Sequence, residues 1–236
     1  MNDAEKGKAM SGYIEAFTWP VVIDPADTAL VVIDMQYASG SRELGLGAHL
    51  ARQGQLDDAA YRFDRIDNVV IPNTQRLLAA WRSVGAPVIY VTLGARNADY
   101  SDAPGYLRHF FEVCHNHQGT RENAVVDALK PMPGEPVLLK NTMGAFASTP
   151  LGELFDELGV RTAVYVGVST NNCVDTTARE ASDRGYASII VADATGTCSE
   201  AMQQSALASF QRLSGRVVST DEAIAELARP ATMKAA

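Results

Sequence analysis

No apolar run in the 236-residue sequence approaches the roughly 20 residues that a membrane-spanning helix needs. The opening stretch MNDAEKGKAMSGYIEAF has no apolar core of signal-peptide length. Cysteine is scarce: Cys114, Cys173 and Cys198 are an odd number without CxxC spacing, which argues against a disulfide framework or a zinc site. Both absences point to a protein of a reducing compartment, so the expected address is the cytoplasm. No G-x-G-x-x-G or P-loop stretch follows the first strand-like run, so a nucleotide-binding domain ranks last among the readings considered, and a redox domain falls with it for want of CxxC. Basic excess is missing too. The formal charge is −8, spread along the chain, which speaks against nucleic acid and for solubility.

What is present is ordinary globular material, 47% hydrophobic and 20% charged, without linker or repeat. A single domain over 1–236 is expected, with 1–26 as an N-terminal arm and 228–236 as a tail. Strand-length apolar runs recur at 29–33, 87–92, 137–139, 163–168, 188–192 and 216–218. Their continuous apolar character predicts strands covered on both faces. Amphipathic stretches lie between them, clearest at 69–83, 149–158, 174–184 and 200–213; Gly85, Gly159 and Gly185 read as C-caps of the first three. The alternation predicts an α/β fold: a three-layer αβα sandwich around a six-stranded, mainly parallel, Rossmann-like sheet. Ligands of such folds bind beyond the carboxyl ends of the strands. Two segments break the alternation, 37–60 and 93–123, and read as irregular; the second is expected to be a lid or substrate loop.

Three strand ends deliver a reactive group. VVIDMQ places Asp34, VLLKN places Lys140, and VYVGVSTNNCVDTTARE places Cys173 between a polar turn and a helix beginning near Val174. Unpaired N–H groups at a helix start favour a thiolate, so Cys173 is the expected nucleophile, and iodoacetamide is expected to label it before the other two cysteines. Lys140 can stabilise the thiolate; Asp34 can take the thiol proton and return it to a leaving amine. His109, His115 and His117 beside Cys114 make an incomplete zinc pattern, and solvated surface is the expectation for the histidines. Cys198 reads as a bystander.

IDMQ, the lysine, and GVSTNNCVDTTAREASDRGY together resemble the isochorismatase-like cysteine hydrolases, over roughly residues 27–220; KNTMGAFASTPL and VADAT add to the resemblance. The resemblance implies Asp34 as general base and acid, Lys140 as thiolate stabiliser and Cys173 as the nucleophile of an acyl or carbamoyl enzyme. It implies a non-proline cis peptide at Val168–Ser169, with the N–H groups of Ser169 and Cys173 forming the oxyanion hole. It implies strand order 3-2-1-4-5-6, which puts the third strand about 10 Å from the first. Lys140 would then reach inward from a loop or bent strand end.

Departures from the family pattern narrow the reaction. The nicotinamidase branch carries metal-binding Asp and His residues after the first strand, where only His49 stands here, so no metal and no cofactor are expected. Isochorismatases proper cleave a vinyl ether without the cysteine, so Cys173 shifts the expectation to a small amide, ureide or N-carbamoyl substrate. Tyr37 and Ala38 replace the usual Asn-Asp after DMQ. Gln36, Tyr37, Arg96, Phe110, Phe111, Thr142, Phe146 and Asn172 are the candidate pocket residues, with Arg96, Arg108 or Arg121 available for a substrate carboxylate. A homo-oligomer is expected. A non-catalytic binding or scaffold protein of the same fold, and a vinyl ether hydrolase, are the alternatives.

Overall fold

The computed structural model describes residues 20–229. Residues 1–19 of the expected arm and 230–236 of the expected tail lie outside it. The strands are β1 Thr28–Ile33, β2 Val88–Leu93, β3 Val137–Lys140, β4 Thr162–Val168, β5 Ala187–Gly196 and β6 Arg216–Val218. The helices are α1 Tyr37–Gly40, α2 Gly45–Arg52, α3 Ala60–Arg65, α4 Ile71–Val84, α5 Gly105–Val113, α6 Leu151–Glu157, α7 Asp175–Asp183, α8 Glu200–Gln211 and α9 Thr220–Leu227. A π-turn, Ile66–Val70, runs α3 into α4, and a second, Thr170–Val174, precedes α7.

The six strands form one sheet in the order β3-β2-β1-β4-β5-β6, and all five pairings are parallel. Every residue of β1 is buried because alternate side chains enter different layers. Leu30 and Val32 pack with Trp81, Tyr90, Val164 and Val166; Ala29, Val31 and Ile33 pack with Ile89, Phe111, Phe155 and Tyr165. Burying each such aliphatic side chain contributes about 1.5–3 kcal/mol, so the central strands hold the frame on which the site is mounted. Val21 and Ile23, from the segment expected to be an arm, are buried in the first of these layers.

Two expectations are corrected. Residues 37–60 are not irregular: they hold α1, α2 and the start of α3, and 93–123 holds α5. Their polar, Gly-rich composition hid short helices that bury one face each, Gly45 and Gly47 in α2, and Leu107 and Phe111 in α5. The strand expected to stop at 192 runs on to Gly196 through a register shift against β4, between Tyr165 and Gly167. Arg65 supports that irregular end by donating to the carbonyls of Ala192 and Thr195. No helix among the described residues is long and apolar enough to cross a membrane.

Candidate active site

Asp34 follows the last residue of β1, at the carboxyl edge of the sheet. It takes φ 51°, the left-handed region that Asp tolerates better than most residues. Its amide still donates to Val91 O, which fixes it to the sheet. Lys140 ends β3, paired with Leu93, and Cys173 lies in the π-turn after β4. The chain thus sends one reactive side chain from each of three strand ends toward a common point.

Lys140 Nζ donates to Asp34 Oδ2 at 3.0 Å and to the Thr142 carbonyl at 3.2 Å. No bent strand is needed. A lysine spans about 6 Å from Cα to Nζ and an aspartate about 3 to 3.5 Å from Cα to its oxygens; with the hydrogen bond these exceed the two ladder spacings of about 10 Å. Both groups are buried, Lys140 completely. Asp34 Oδ1 is buried and accepts no N–H or O–H hydrogen bond among the described residues. The Cys173 thiol interacts with this carboxylate and with Lys140, and contributes to the ionisation of both. Cys173 Sγ also lies 3.4 Å from Met143 Sδ.

Burial pushes Asp34 above the ordinary carboxylate range, opposed by the charge of Lys140. Burial works against the Lys140 charge as well, but Asp34 more than offsets it and lifts the amine above its usual value. The Cys173 thiol is pushed up to about 12, by burial first and by the Asp34 charge second, with Lys140 opposing. The field at a helix start is worth about 1 kcal/mol, whereas raising a thiol from 9.0 to about 12 corresponds to about 4 kcal/mol. Burial and the Asp34 charge thus favour the thiol over the thiolate, beside a carboxylate whose basicity burial raises.

Asp34 and Cys173 open onto a pocket of about 180 Å³. That is smaller than the roughly 300–1,000 Å³ of typical small-molecule sites, so it suits a ligand of few atoms. Of the sequence-predicted residues, Gln36, Phe110, Ser169, Asn172 and Cys173 line it along with Asp34. Gln36 spends its amide on backbone, accepting from Leu93 N and donating to Leu93 O and Asn123 O. The Val168–Ser169 peptide bond is cis.

Five candidates fall outside the lining. Tyr37 turns its hydroxyl to Arg121 and to the Asp127 amide. Arg96 donates to the carbonyls of Leu139 and Ser148. Phe111 is wholly buried in the core. Thr142 supports Lys140 through its carbonyl, while its hydroxyl bonds Gly144 O and Ser148 Oγ. Phe146 stacks on Tyr186 and meets Phe155 edge-on. Arg108 and Arg121 are exposed and also absent from the lining.

Other residues form the pocket instead. Leu46 comes from α2, Leu107 joins Phe110 from α5, Asn116 follows α5, and Met143 follows β3. Arg62, on α3, is 7% exposed; it donates from Nε and Nη2 to Ser39 O and from Nη1 to Ser169 Oγ at 2.8 Å. Burial lowers its pKa, but a guanidinium holds its proton throughout the working range. A sequence signal for it exists. Arg62, Phe63, Ile66 and Val70 are all buried at near-helical spacing, so this arginine occupies an apolar stripe where a charge has to be explained.

The fold and the strand-end placement of these groups define an α/β protein with a buried thiol, carboxylate and ammonium at one pocket. The chain belongs to the isochorismatase family: the model of the isochorismatase domain matches residues 28–222. It is 33% identical over 214 residues to the ureidoacrylate amidohydrolase RutB of Methylorubrum extorquens, covering 84% of this chain and 82% of that one. It is 34% identical over 215 residues to the protein of the same name in Methylobacterium radiotolerans, covering 84% and 78%. Among solved structures it is similar to a cysteine hydrolase of Pseudomonas syringae pv. phaseolicola, with a TM-score of 0.72, 26% identity, and coverage of 88% of this chain and 97% of that one.

Proposed function

We propose that this chain is a cysteine amidohydrolase, cleaving a C–N bond of a small amide, ureide or N-carbamoyl compound through a covalent thioester or carbamoyl enzyme. The observation that carries the reading is the meeting of Asp34, Lys140 and Cys173 at one small pocket. The names of its relatives, ureidoacrylate amidohydrolases, support the same reaction class.

As Cys173 Sγ attacks the carbonyl carbon, Asp34 Oδ1 takes the thiol proton. The N–H groups of Ser169 and Cys173 stabilise the oxyanion of the tetrahedral intermediate. Asp34 returns the proton to the leaving nitrogen, the C–N bond breaks, and ammonia or an amine departs. Water, deprotonated by Asp34, then attacks the thioester carbon, and the sulfur leaves with the proton that Asp34 holds. Lys140 keeps Asp34 anionic between steps and also favours the ionised sulfur directly as the thiol proton leaves. The reaction needs a small pocket and a buried base, and both are present.

The test is ammonia or amine release across a panel of amides, ureides and carbamoyl amino acids, with intact-mass detection of the acylated protein. Turnover by the wild type, its loss in folded Cys173→Ala, and an adduct at Cys173 are the expected results. Full activity in Cys173→Ala overturns the proposal.

A further inference from the structure

We propose that Arg62 is the anion-recognising residue of this pocket, so that the substrate carries a carboxylate in addition to its scissile C–N bond. The inference rests on the amidohydrolase reading for the identity of the pocket, and adds the chemical class of what enters it.

The charge count leads to it. Among the side chains that line the pocket, Asp34 and Arg62 alone carry a full charge. Asp34 is neutralised by Lys140 behind it at 3.0 Å. Burial and the Asp34 charge favour the neutral thiol at Cys173. One positive charge is left over, and it belongs to Arg62.

The partners of Arg62 do not neutralise it. Its three hydrogen bonds go to neutral oxygens, two to the Ser39 carbonyl and one to the Ser169 hydroxyl. No carboxylate lies within ion-pair distance of it among the described residues, and Asp34 feels its charge only at longer range. The Cys198 side chain also borders it. A guanidinium has five N–H donors; three are spent on Ser39 and Ser169, and of the remaining two, one on each Nη, the Cys198 side chain engages one as a weak acceptor that a carboxylate would outcompete. A pair of N–H groups on the two terminal nitrogens is the fork that matches a carboxylate. Burying an unpaired charge is costly, and in native proteins such charges are paired or meet a ligand.

Position agrees with charge. Arg62 bonds the side chain of Ser169, the residue whose N–H is assigned to the oxyanion, so the guanidinium stands next to the reacting carbonyl. The Ser39 carbonyl anchors its other edge, and Ser39 Oγ in turn donates to Asp34 O. The guanidinium is therefore preorganised, held on one side by α1 and on the other by the turn after β4.

The experiment compares ureido acids and N-carbamoyl amino acids with their methyl esters, in wild type, Arg62→Met and Arg62→Lys. Wild type is expected to favour each acid over its ester by at least about 10-fold in kcat/KM. Arg62→Met is expected to lose about 100-fold on acids, mainly in KM, and at least 10-fold less on esters; Arg62→Lys recovers part of the acid preference. A wild type that prefers esters overturns the proposal, and this comparison needs no variant to fold. Equal losses on acids and esters in Arg62→Met overturn it too, since a merely structural arginine would give that result.

Equilibrium binding to Cys173→Ala, by calorimetry, separates the two readings. If the wild type turns over nothing, the amidohydrolase reading fails; tighter binding of the acid than of its ester, abolished by Arg62→Met, still upholds the anion site. Equal binding of acid and ester to Cys173→Ala overturns it.

Discussion

Lys140 and Asp34 stand on strands separated by β2, yet Nζ and Oδ2 meet at 3.0 Å beneath the pocket. The pair is buried, Oδ1 of the carboxylate is left without a hydrogen-bond partner among the described residues, and the Cys173 thiol interacts with the same carboxylate. Its consequences can be measured in several ways.

The pH profile reads the base directly. Asp34 acts as the anion, and its pKa is raised by burial, so kcat/KM should rise along an acid limb displaced upward from the ordinary aspartate value of about 3.9. It should then stay level through pH 8–9, because Cys173 is held up at about 12 and Lys140 above its usual range. A second rise near pH 8.5, where an ordinary thiol titrates, would show that a pre-formed thiolate attacks instead.

Removing one member of the buried pair leaves the other uncompensated. Lys140→Met is expected to lower stability by about 3 kcal/mol in urea unfolding. Adding Asp34→Asn should recover much of that loss, since neither position of the pair then carries a charge, while activity stays absent. Purely additive losses in the double variant would argue that the two side chains do not depend on one another.

Thiol alkylation should run opposite to the sequence expectation. Cys198 is exposed, whereas Cys173 is 5% exposed and protonated at rest. Iodoacetamide at neutral pH should therefore modify Cys198 first, Cys173 slowly, and buried Cys114 last, as peptide mass mapping would report. Labelling of Cys173 ahead of Cys198 would overturn the resting-thiol assignment.

Gly167 controls the approach of β4 to β1. It pairs with Ile33, the residue before Asp34, and takes φ 111°; a Cβ there would lie 2.0 Å from Ile33 O. Gly167→Ala should cost about 3 kcal/mol and also depress turnover, because the Asp34 and Cys173 segments would be pushed apart. Wild-type stability in this variant, by thermal unfolding, would refute the role.

Much of this frame is legible from sequence because parallel strands buried on both faces leave unbroken apolar runs. The runs around Asp34 and before Ser169 are the clearest, and each ends at a residue that the structure brings into one site. Lys140 was harder to place: composition says nothing about the reach of a side chain across a neighbouring strand. The pocket walls were legible only in part. Phe110 and Asn172 do line the pocket, but Phe111 and Phe146 are drawn into aromatic and aliphatic packing that adjacency in sequence does not encode. The arginines divide in a related way. Arg96, Arg108 and Arg121 sit in segments that look like loops, while Arg62 sits on the apolar face of a short helix, α3, which begins where the segment 37–60 ends.

The groups proposed for bond cleavage hang from the frame of the sheet, whereas Leu46, Leu107, Phe110 and Asn116 arrive from α2, α5 and the connection after α5. Reactivity and shape are thus carried by different stretches of chain, and they can be varied separately. A library confined to those four positions would retune which molecules fit while leaving the bond-breaking apparatus in place, which makes this scaffold a convenient starting point for selecting hydrolases of new small nitrogen compounds.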